Sequence, residues 1–148
     1  WGDDLQKGKE LINQLGIQND ICLLPHVLSK ARLIKFYNAA DAILDQFTLN
    51  QLGLGGFGMA AFEALSCGKA VITACDPDVY KTHYEGEVPI LPADDEREIL
   101  EQMNKLANNP QTAKEIGVAS RQWVVRNMNF ESPMMRKIIN LCQKSLEK

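Results

Sequence analysis

Short apolar runs alternate along the chain with longer stretches in which apolar residues recur every three or four positions. The short runs predict β-strands, and the periodic stretches predict amphipathic helices. The predicted strands are residues 21–24, 42–44, 70–75 and, with a weaker pattern, 88–91. Strands that are this short and apolar, and that are separated by helices, are typical of a parallel sheet covered on both faces. The predicted fold class is therefore α/β, with a doubly wound parallel sheet.

The helical stretches have recognisable start and stop residues. Gly16 ends the first predicted helix, and Ser29 is placed to cap the second. The predicted helices are residues 3–15, the stretch after Ser29, residues 58–67, and the chain from Asp94 onward with breaks at Pro110 and Pro133. The last of these is a helical C-terminal tail without matching strands. We expect it to pack across the sheet or to reach toward another domain.

Composition and charge limit the classes of function. The chain has 148 residues, of which 45% are hydrophobic and 24% are charged, and its formal net charge is −3. These values are ordinary for a soluble globular protein, and the net charge provides no field that favours nucleic acid as a partner. No apolar run approaches the roughly 18 residues that are needed to span a bilayer.

The cysteines and histidines are not spaced as metal ligands. Cys22, Cys67, Cys75 and Cys142 include no Cys-x-x-Cys pair, and the chain has only two histidines. A metal site is therefore not expected. The neighbours of the cysteines are mostly apolar, which predicts reduced and mostly buried thiols and a cytoplasmic protein.

The most informative segment is a glycine-rich stretch ahead of a short run of helix formers. A carboxylate, Glu63, lies inside that run, and Gly68 ends it. The stretch contains Gly53, Gly55, Gly56 and Gly58. A glycine-rich loop that leads into a helix N-terminus is suited to an anion, because backbone N–H groups point outward and the helix dipole adds partial positive charge. A carboxylate one turn further can accept hydrogen bonds from sugar hydroxyls, so the predicted ligand carries both phosphate and ribose.

Two other interpretations of this segment stay open. Gly53, Gly55 and Gly58 match Gly-x-Gly-x-x-Gly, and Asp76 ends the next strand, as in an NAD-type dinucleotide-binding domain of an oxidoreductase. Two features count against that interpretation. It requires the first glycine directly at the strand end, whereas Gly53 does not directly follow the strand that ends at Leu44, and it gives Glu63 no role. The other alternative is a plain loop, a packing helix and an exposed charge. A plain loop has no need of four glycines, each of which raises the entropic cost of folding.

Two blocks of the chain resemble a known family. They are Tyr37-Asn-Ala-Ala-Asp41-Ala-Ile and Phe57-Gly-Met-Ala-Ala-Phe-Glu63-Ala-Leu-Ser-Cys-Gly68-Lys-Ala-Val71-Ile. Both are similar to the C-terminal domain of retaining glycosyltransferases of family 4 (group 1), which have the GT-B fold. The resemblance implies that residues 1–148 form one Rossmann-like, nucleotide-sugar-binding domain. It also implies that the N-terminal part of this domain and the N-terminal acceptor domain are missing from the chain.

The resemblance also implies roles for individual residues. In the family, the carboxylate at the position of Glu63 accepts hydrogen bonds from the ribose, and a Gly-Phe-Gly backbone with the following helix N-terminus holds the diphosphate. A loop at the position of His26 and Val27 contacts the base. The residues that match the diphosphate-binding segment are Gly56, Phe57, Gly58 and Met59. No catalytic residue is assigned.

One position departs from the family pattern. Gly55 stands where the family has a first glutamate that contacts the donor sugar, which places sugar recognition in question. A non-catalytic nucleotide-binding module is therefore the alternative to an enzyme. Asp45 follows a predicted strand, where it is placed either to cap the loop or to face the ligand; both interpretations are kept.

The implied activity is transfer of a sugar from a nucleoside-diphosphate sugar to an acceptor, with retention of anomeric configuration. The donor is a substrate, and no cofactor or metal is expected. The implied partners are the nucleotide sugar and the missing acceptor domain, not nucleic acid, and a membrane would be contacted only through the missing half. The isolated chain is expected to bind a donor weakly and to transfer nothing.

Overall fold

The computed structural model describes residues 4–24, 27–47, 56, 58–81 and 84–146. Within these ranges the chain forms seven helices and three strands. The helices are α1 (Leu5–Leu15), α2 (Lys30–Ala39), α3 (Met59–Ser66), α4 (Pro77–Lys81), α5 (Glu96–Asn108), α6 (Pro110–Asn127) and α7 (Pro133–Leu146). The strands are β1 (Ala42–Leu44), β2 (Ala70–Thr73) and β3 (Leu91–Pro92). The chain divides into two compact units, Trp1–Leu33 and Ile34–Lys148.

The first unit contains α1, which confirms the helix predicted over residues 3–15. Gly16 ends it in the left-handed conformation, at φ 68°. The N–H of Gly16 donates to the carbonyl of Asn13, and that of Ile17 donates to the carbonyl of Ile12, both at 3.2 Å. This arrangement satisfies carbonyl groups that the end of a helix leaves without partners.

The strand predicted over residues 21–24 is wrong. These residues have no regular secondary structure and their side chains are exposed, and none of them pairs with a strand of the described chain. An apolar run becomes a strand only when a neighbouring strand takes up its backbone hydrogen bonds. Residues 21–24 are indeed apolar, but an apolar run carries no information on whether a partner strand is adjacent.

The second unit contains the sheet, and all three described strands are parallel, in the order β1-β2-β3. Ala42 lies opposite Ala70, and Ile72 lies opposite Leu91. Every residue of β2 is fully buried, so this central strand is covered on both faces. The fold class is α/β with a parallel sheet, as the sequence pattern predicted.

Helices α5 and α6 cover one face of the sheet. Leu106 of α5 and Ala113 of α6 pack on the side chains of Ala70 and Ile72, with Leu91 alongside. The prolines that interrupt the tail begin helices: Pro110 is at the first turn of α6, and Pro133 starts α7. Proline suits this position because the first helical N–H groups have no intrahelical acceptor.

The β2 and β3 strands differ from their predicted bounds, and α4 was not predicted. β2 ends at Thr73, and β3 is only Leu91–Pro92. Beyond β2, the N–H of Ala74 donates to the carbonyl of Gln46 at 3.0 Å, so the chain still follows β1 although the ladder has ended. α4 has five residues, which is too short for a clear hydrophobic period.

A glycine contact joins α3 to α6. Gly68 ends α3 at φ 68°, and Gly117 of α6 lies against its backbone. A Cβ added at Gly117 would be 2.2 Å from the carbonyl oxygen of Gly68. The Nη1 of Arg121 donates to the carbonyl of Ser66 at 3.0 Å, one turn further along α6. This contact sets how closely α6 approaches the turn between α3 and β2.

The cysteines are not mostly buried, which corrects the sequence prediction. Cys22 and Cys142 are exposed, Cys67 is half-buried, and only Cys75 is buried, at 2% exposure. None of the four is in a disulfide. No helix in the described part of the chain is long and apolar enough to cross a membrane.

Cys75 is expected to resist alkylation in the native protein. Burial, together with the negative charges of Asp76 and Asp94, raises the pKa of its thiol to about 12, so the thiol stays protonated at pH 8. With iodoacetamide at pH 8, Cys22 and Cys142 should be modified first, and Cys75 only in denaturant. Mass spectrometry of the peptides at successive times measures this order; rapid native labelling of Cys75 would contradict its burial.

Candidate functional site

The candidate site lies where the strands of the parallel sheet end. Asp45 directly follows β1, and Asp94 comes two residues after β3. The carboxyl ends of parallel strands meet at one edge of a sheet, and ligands of open α/β sheets bind at that edge. The glycine-rich segment connects β1 to α3, so the N-terminus of α3 also lies there. Among the described residues, no three or more His, Cys, Asp or Glu side chains are grouped to hold a metal ion.

The N-terminus of α3 is built on glycine. Gly58 is the residue that precedes the first turn, with φ −75° and ψ 171°, and it has no side chain to cap the following N–H groups. The first helical residues are Met59, Ala60 and Ala61, and the side chain of Met59 is 74% exposed. First-turn N–H groups that no side chain caps are suited to an anionic ligand.

Asp45 caps the loop. Its Oδ2 accepts a hydrogen bond from the N–H of Gly58 at 3.0 Å. A Cβ at Gly58 would lie 3.1 Å from this oxygen and 3.2 Å from the Nε2 of Gln46, so glycine permits the close approach. The structure therefore decides between the two interpretations of Asp45 in favour of capping. It also shows that the Gly58 N–H has an acceptor inside the protein, which leaves the next N–H groups of α3 as the candidates for a ligand.

The backbone beside Asp45 is tied to β2. The carbonyl of Gln46 accepts from the hydroxyl of Thr73 and from the N–H of Ala74, both at 3.0 Å. The N–H of Asp45 donates to the carbonyl of Ile72 at 3.0 Å. Asp45 is therefore held by the edge of the sheet, and through its carboxylate it holds the start of α3.

Glu63 lies on α3, and its carboxylate is half-buried beside Tyr37 of α2. The hydroxyl of Tyr37 donates to the Oε2 of Glu63 in a long hydrogen bond of 3.4 Å. Burial raises the pKa of Tyr37, and the charges of Glu63 and Asp45 raise it further. Glu63 is thus part of a packed polar contact, which argues against the interpretation of Glu63 as a solvated surface charge.

The remaining predicted site residues are described only in part. Gly56 is half-buried, and Val27 is in the first unit with 71% of its side chain exposed. Gly55, Phe57 and His26 lie outside the described residues, so their predicted contacts stay predictions.

Sequence reasoning did not assign a role to Tyr37, although this residue belongs to one of the two resembling blocks. It is the only residue of α2 that is buried. A buried tyrosine hydroxyl usually has a hydrogen-bond partner. That rule predicts a partner for Tyr37, but it does not say which residue provides it.

A cavity lies on the face of the sheet that α5 and α6 cover. It has a volume of about 410 Å³ and is lined mostly by apolar side chains, including Leu44, Met103 and Leu106. Glu63 and Gly58 are not among its lining residues. An apolar cavity of this kind does not suit a phosphate group.

Comparisons with known proteins identify relatives of the chain. The family model described as "Glycosyl transferases group 1" matches residues 1–123. Among solved structures, sucrose-phosphate synthase from Thermosynechococcus elongatus is similar, with a TM-score of 0.71 and 18% sequence identity. The match covers 99% of this chain and 35% of that one, so the chain spans about a third of its length. No curated protein sequence matches. The structural likeness bears on the fold, which is that of the C-terminal, Rossmann-like half of a GT-B protein.

Proposed function

The chain belongs to the group 1 glycosyl transferases, and from this premise we propose that it is the donor-binding part of an enzyme that transfers a sugar from a nucleoside-diphosphate sugar. The bond between the anomeric carbon and the diphosphate oxygen breaks, a bond to an acceptor hydroxyl forms with retention of configuration, and the proton of that hydroxyl passes to the departing diphosphate. The diphosphate leaves with the bonding electrons. In this proposal the donor is a substrate, and no cofactor or metal takes part.

The observation that carries the proposal is the arrangement of α3. Its N-terminus presents N–H groups that the glycine cap leaves without a side-chain acceptor, and Glu63 follows Met59 by one turn. Residues four apart share a helix face and are separated by roughly 6 Å along the axis. A nucleoside diphosphate has a comparable distance between its phosphates and its ribose hydroxyls. The helix is therefore suited to hold both groups, with the diphosphate at its N-terminus and the ribose at Glu63.

The electrostatics of the site indicate what the rest of the protein contributes. Asp45 and Asp94 follow strands at this edge, and Asp94 is close enough to Cys75 to raise the pKa of its thiol. A diphosphate beside these carboxylates needs cationic groups in addition to α3. We propose that other parts of the intact protein supply them, and that the isolated chain binds donors weakly and does not catalyse transfer. Catalysis then rests on positioning and on stabilisation of the departing diphosphate.

Replacing Glu63 with alanine is expected to weaken binding of the nucleoside diphosphate by about 1.5–3 kcal/mol, because hydrogen bonds to the charged carboxylate are lost. This corresponds to roughly a 10- to 150-fold rise in Kd. Calorimetric titration with UDP, GDP, ADP, their sugar conjugates and NAD, on the chain and on the intact protein, measures the effect.

Glu115→Ala is the matched control, because Glu115 is an exposed carboxylate on α6 that accepts a hydrogen bond from its helical neighbour Gln111. This variant should bind like the parent. Equal affinity of the parent and of a folded Glu63→Ala variant would remove Glu63 from the site. Tightest binding of NAD would support the dinucleotide-binding alternative instead.

A non-catalytic nucleotide-binding module is the second candidate. It is favoured by Gly55, which stands where the resembling family has the glutamate that contacts the donor sugar. The intact protein separates the two candidates, because an enzyme releases a nucleoside diphosphate from the donor when the acceptor is added. Binding without any release over a panel of donors and acceptors would support the module.

We also propose a cytoplasmic location, which the four cysteines without disulfides support.

A further inference from the structure

We infer that Tyr37 is a positioning residue for the ribose-binding carboxylate: its buried hydroxyl holds Glu63 in the orientation that receives the ribose hydroxyls. This inference rests on the proposed function, because it assigns to Tyr37 a task in the same site.

The position of Tyr37 is well determined by its surroundings. The residue is 7% exposed, near the end of α2, and β1 begins five residues later. The N–H of Ala40 donates to the carbonyl of Phe36 at 3.0 Å, and the Nζ of Lys69 donates to the carbonyl of Asn38 at 2.9 Å. The second bond ties the end of α2 to the residue that precedes β2. The aromatic ring of Tyr37 therefore extends from a segment that is hydrogen-bonded to the residue before β2.

The hydroxyl of Tyr37 reaches across to a different helix. Its acceptor, the Oε2 of Glu63, is 3.4 Å away and 26 residues further along the chain. A glutamate side chain loses rotamer freedom when it is held in one conformation, and this loss opposes binding. A carboxylate with an anchoring donor has already lost part of that freedom before the ligand binds, so less binding energy is spent on ordering it.

The chemistry of the pair allows both contacts at once. A carboxylate has about four lone-pair positions, so the donor from Tyr37 and hydroxyls from a ribose can be accepted together. Because burial and the nearby charges of Glu63 and Asp45 raise the pKa of Tyr37, its hydroxyl keeps its proton at neutral pH and acts as a donor. Cys67 also contributes to the raised pKa of Tyr37.

Tyr37→Phe tests the inference, since it removes only the hydroxyl. The Kd of the intact protein for its best nucleoside diphosphate among UDP, GDP and ADP should rise roughly three- to tenfold, as expected for one lost hydrogen bond. The Kd for the 2′,3′-dideoxy analogue of the same nucleotide should not change, because that ligand offers Glu63 no ribose hydroxyls. Tyr84→Phe is the control: the ring of Tyr84 packs on Tyr80 and Trp123, with centroids 5.8 Å and 5.2 Å away, and binding should be unaffected.

A double-mutant cycle distinguishes positioning from packing. In the Glu63→Ala background, Tyr37→Phe should have no further effect on the Kd of the ribonucleotide. Equal losses for the ribonucleotide and its dideoxy analogue, or equal losses with and without Glu63, would overturn the inference and make Tyr37 a structural residue only. An unchanged Kd in Tyr37→Phe would also overturn it. If Glu63→Ala itself leaves the Kd unchanged, the proposed function fails first, so the two failures are distinguishable.

Discussion

Gly117→Ala is expected to lower the free energy of unfolding of the second unit by about 2–3 kcal/mol, which is at the upper end of the cost of overpacking. The new Cβ would lie 2.2 Å from the carbonyl oxygen and 3.0 Å from the carbonyl carbon of Gly68. Both are backbone atoms, so no side chain can rotate to make room. Helix α6 must instead move away from the turn after α3.

Two properties of this turn make that movement costly. Gly68 has φ 68°, a conformation that the turn needs in order to end α3 and start β2. The Nη1 of Arg121 is bonded to the carbonyl of Ser66, and this bond is strained or lost when α6 shifts. The helix propensity of alanine, which is better than that of glycine by about 1 kcal/mol, offsets only part of the cost.

Equilibrium unfolding in urea, followed by circular dichroism, measures the change in the free energy of unfolding. Two controls apply. Val118→Ala alters the next residue of α6, which is 58% exposed, and should stay within about 0.5 kcal/mol of the parent. Gly8→Ala adds the same methyl group to a helical glycine where a Cβ would meet no atom within 4 Å beyond the adjacent backbone of its own helix, and it should not destabilise α1. A Gly117→Ala variant as stable as Val118→Ala would mean that α6 does not approach Gly68 this closely.

Gly58→Val is expected to abolish nucleotide binding at accessible concentrations, with a rise in Kd of at least roughly 100-fold. The valine side chain blocks the approach of the diphosphate to the N–H groups of α3, and the loss of two charge-assisted bonds at about 1.5–3 kcal/mol each accounts for a rise of this size. The domain should stay folded, because φ −75° is an ordinary value for any residue. Calorimetric titration together with a thermal melt measures both properties.

The valine side chain introduced at position 58 would also disturb Asp45, so the effect on the cap must be separated from the effect on the ligand. A Cβ at Gly58 comes within 3.1 Å of the Oδ2 of Asp45. Asp45→Ala breaks the bond to the Gly58 N–H without adding volume at the helix N-terminus. This variant should lose some stability and keep most of its affinity. If Asp45→Ala loses affinity to the same extent as Gly58→Val, the cap and not phosphate approach is responsible.

The features that could be predicted from the sequence are those that depend on neighbours along the chain. α1 ends at Gly16, α5 begins after Asp95, and α6 begins after Asn109. In each case the capping residue bonds groups within a few positions of itself, for example Asp95 to the N–H of Glu98 at 2.8 Å. The same holds for the candidate site, since a glycine cap followed by a carboxylate one turn later is a local pattern.

The contacts that give the site its shape could not be predicted in this way. Asp45 and Gly58 are 13 residues apart, and Tyr37 and Glu63 are 26 residues apart. The hydrophobic pattern around each of these residues is compatible with several hydrogen-bond partners. The choice depends on how α2, β1 and α3 are arranged in space.

By itself, the sequence determined the α/β class, the end of the first helix at Gly16, and the glycine-rich entry to α3 with its carboxylate, because local periodicity and capping act over one or two turns. The tertiary structure alone decided that residues 21–24 pair with no described strand, that Asp45 accepts a hydrogen bond from the Gly58 N–H ahead of α3, and that Tyr37 contacts Glu63. It also decided that Gly117 must be glycine, since only the meeting of α6 with the turn at Gly68 leaves no room for a Cβ. Contacts between elements depend on how the elements are placed relative to one another. The local patterns permit several placements, and only the close packing of the core selects one of them.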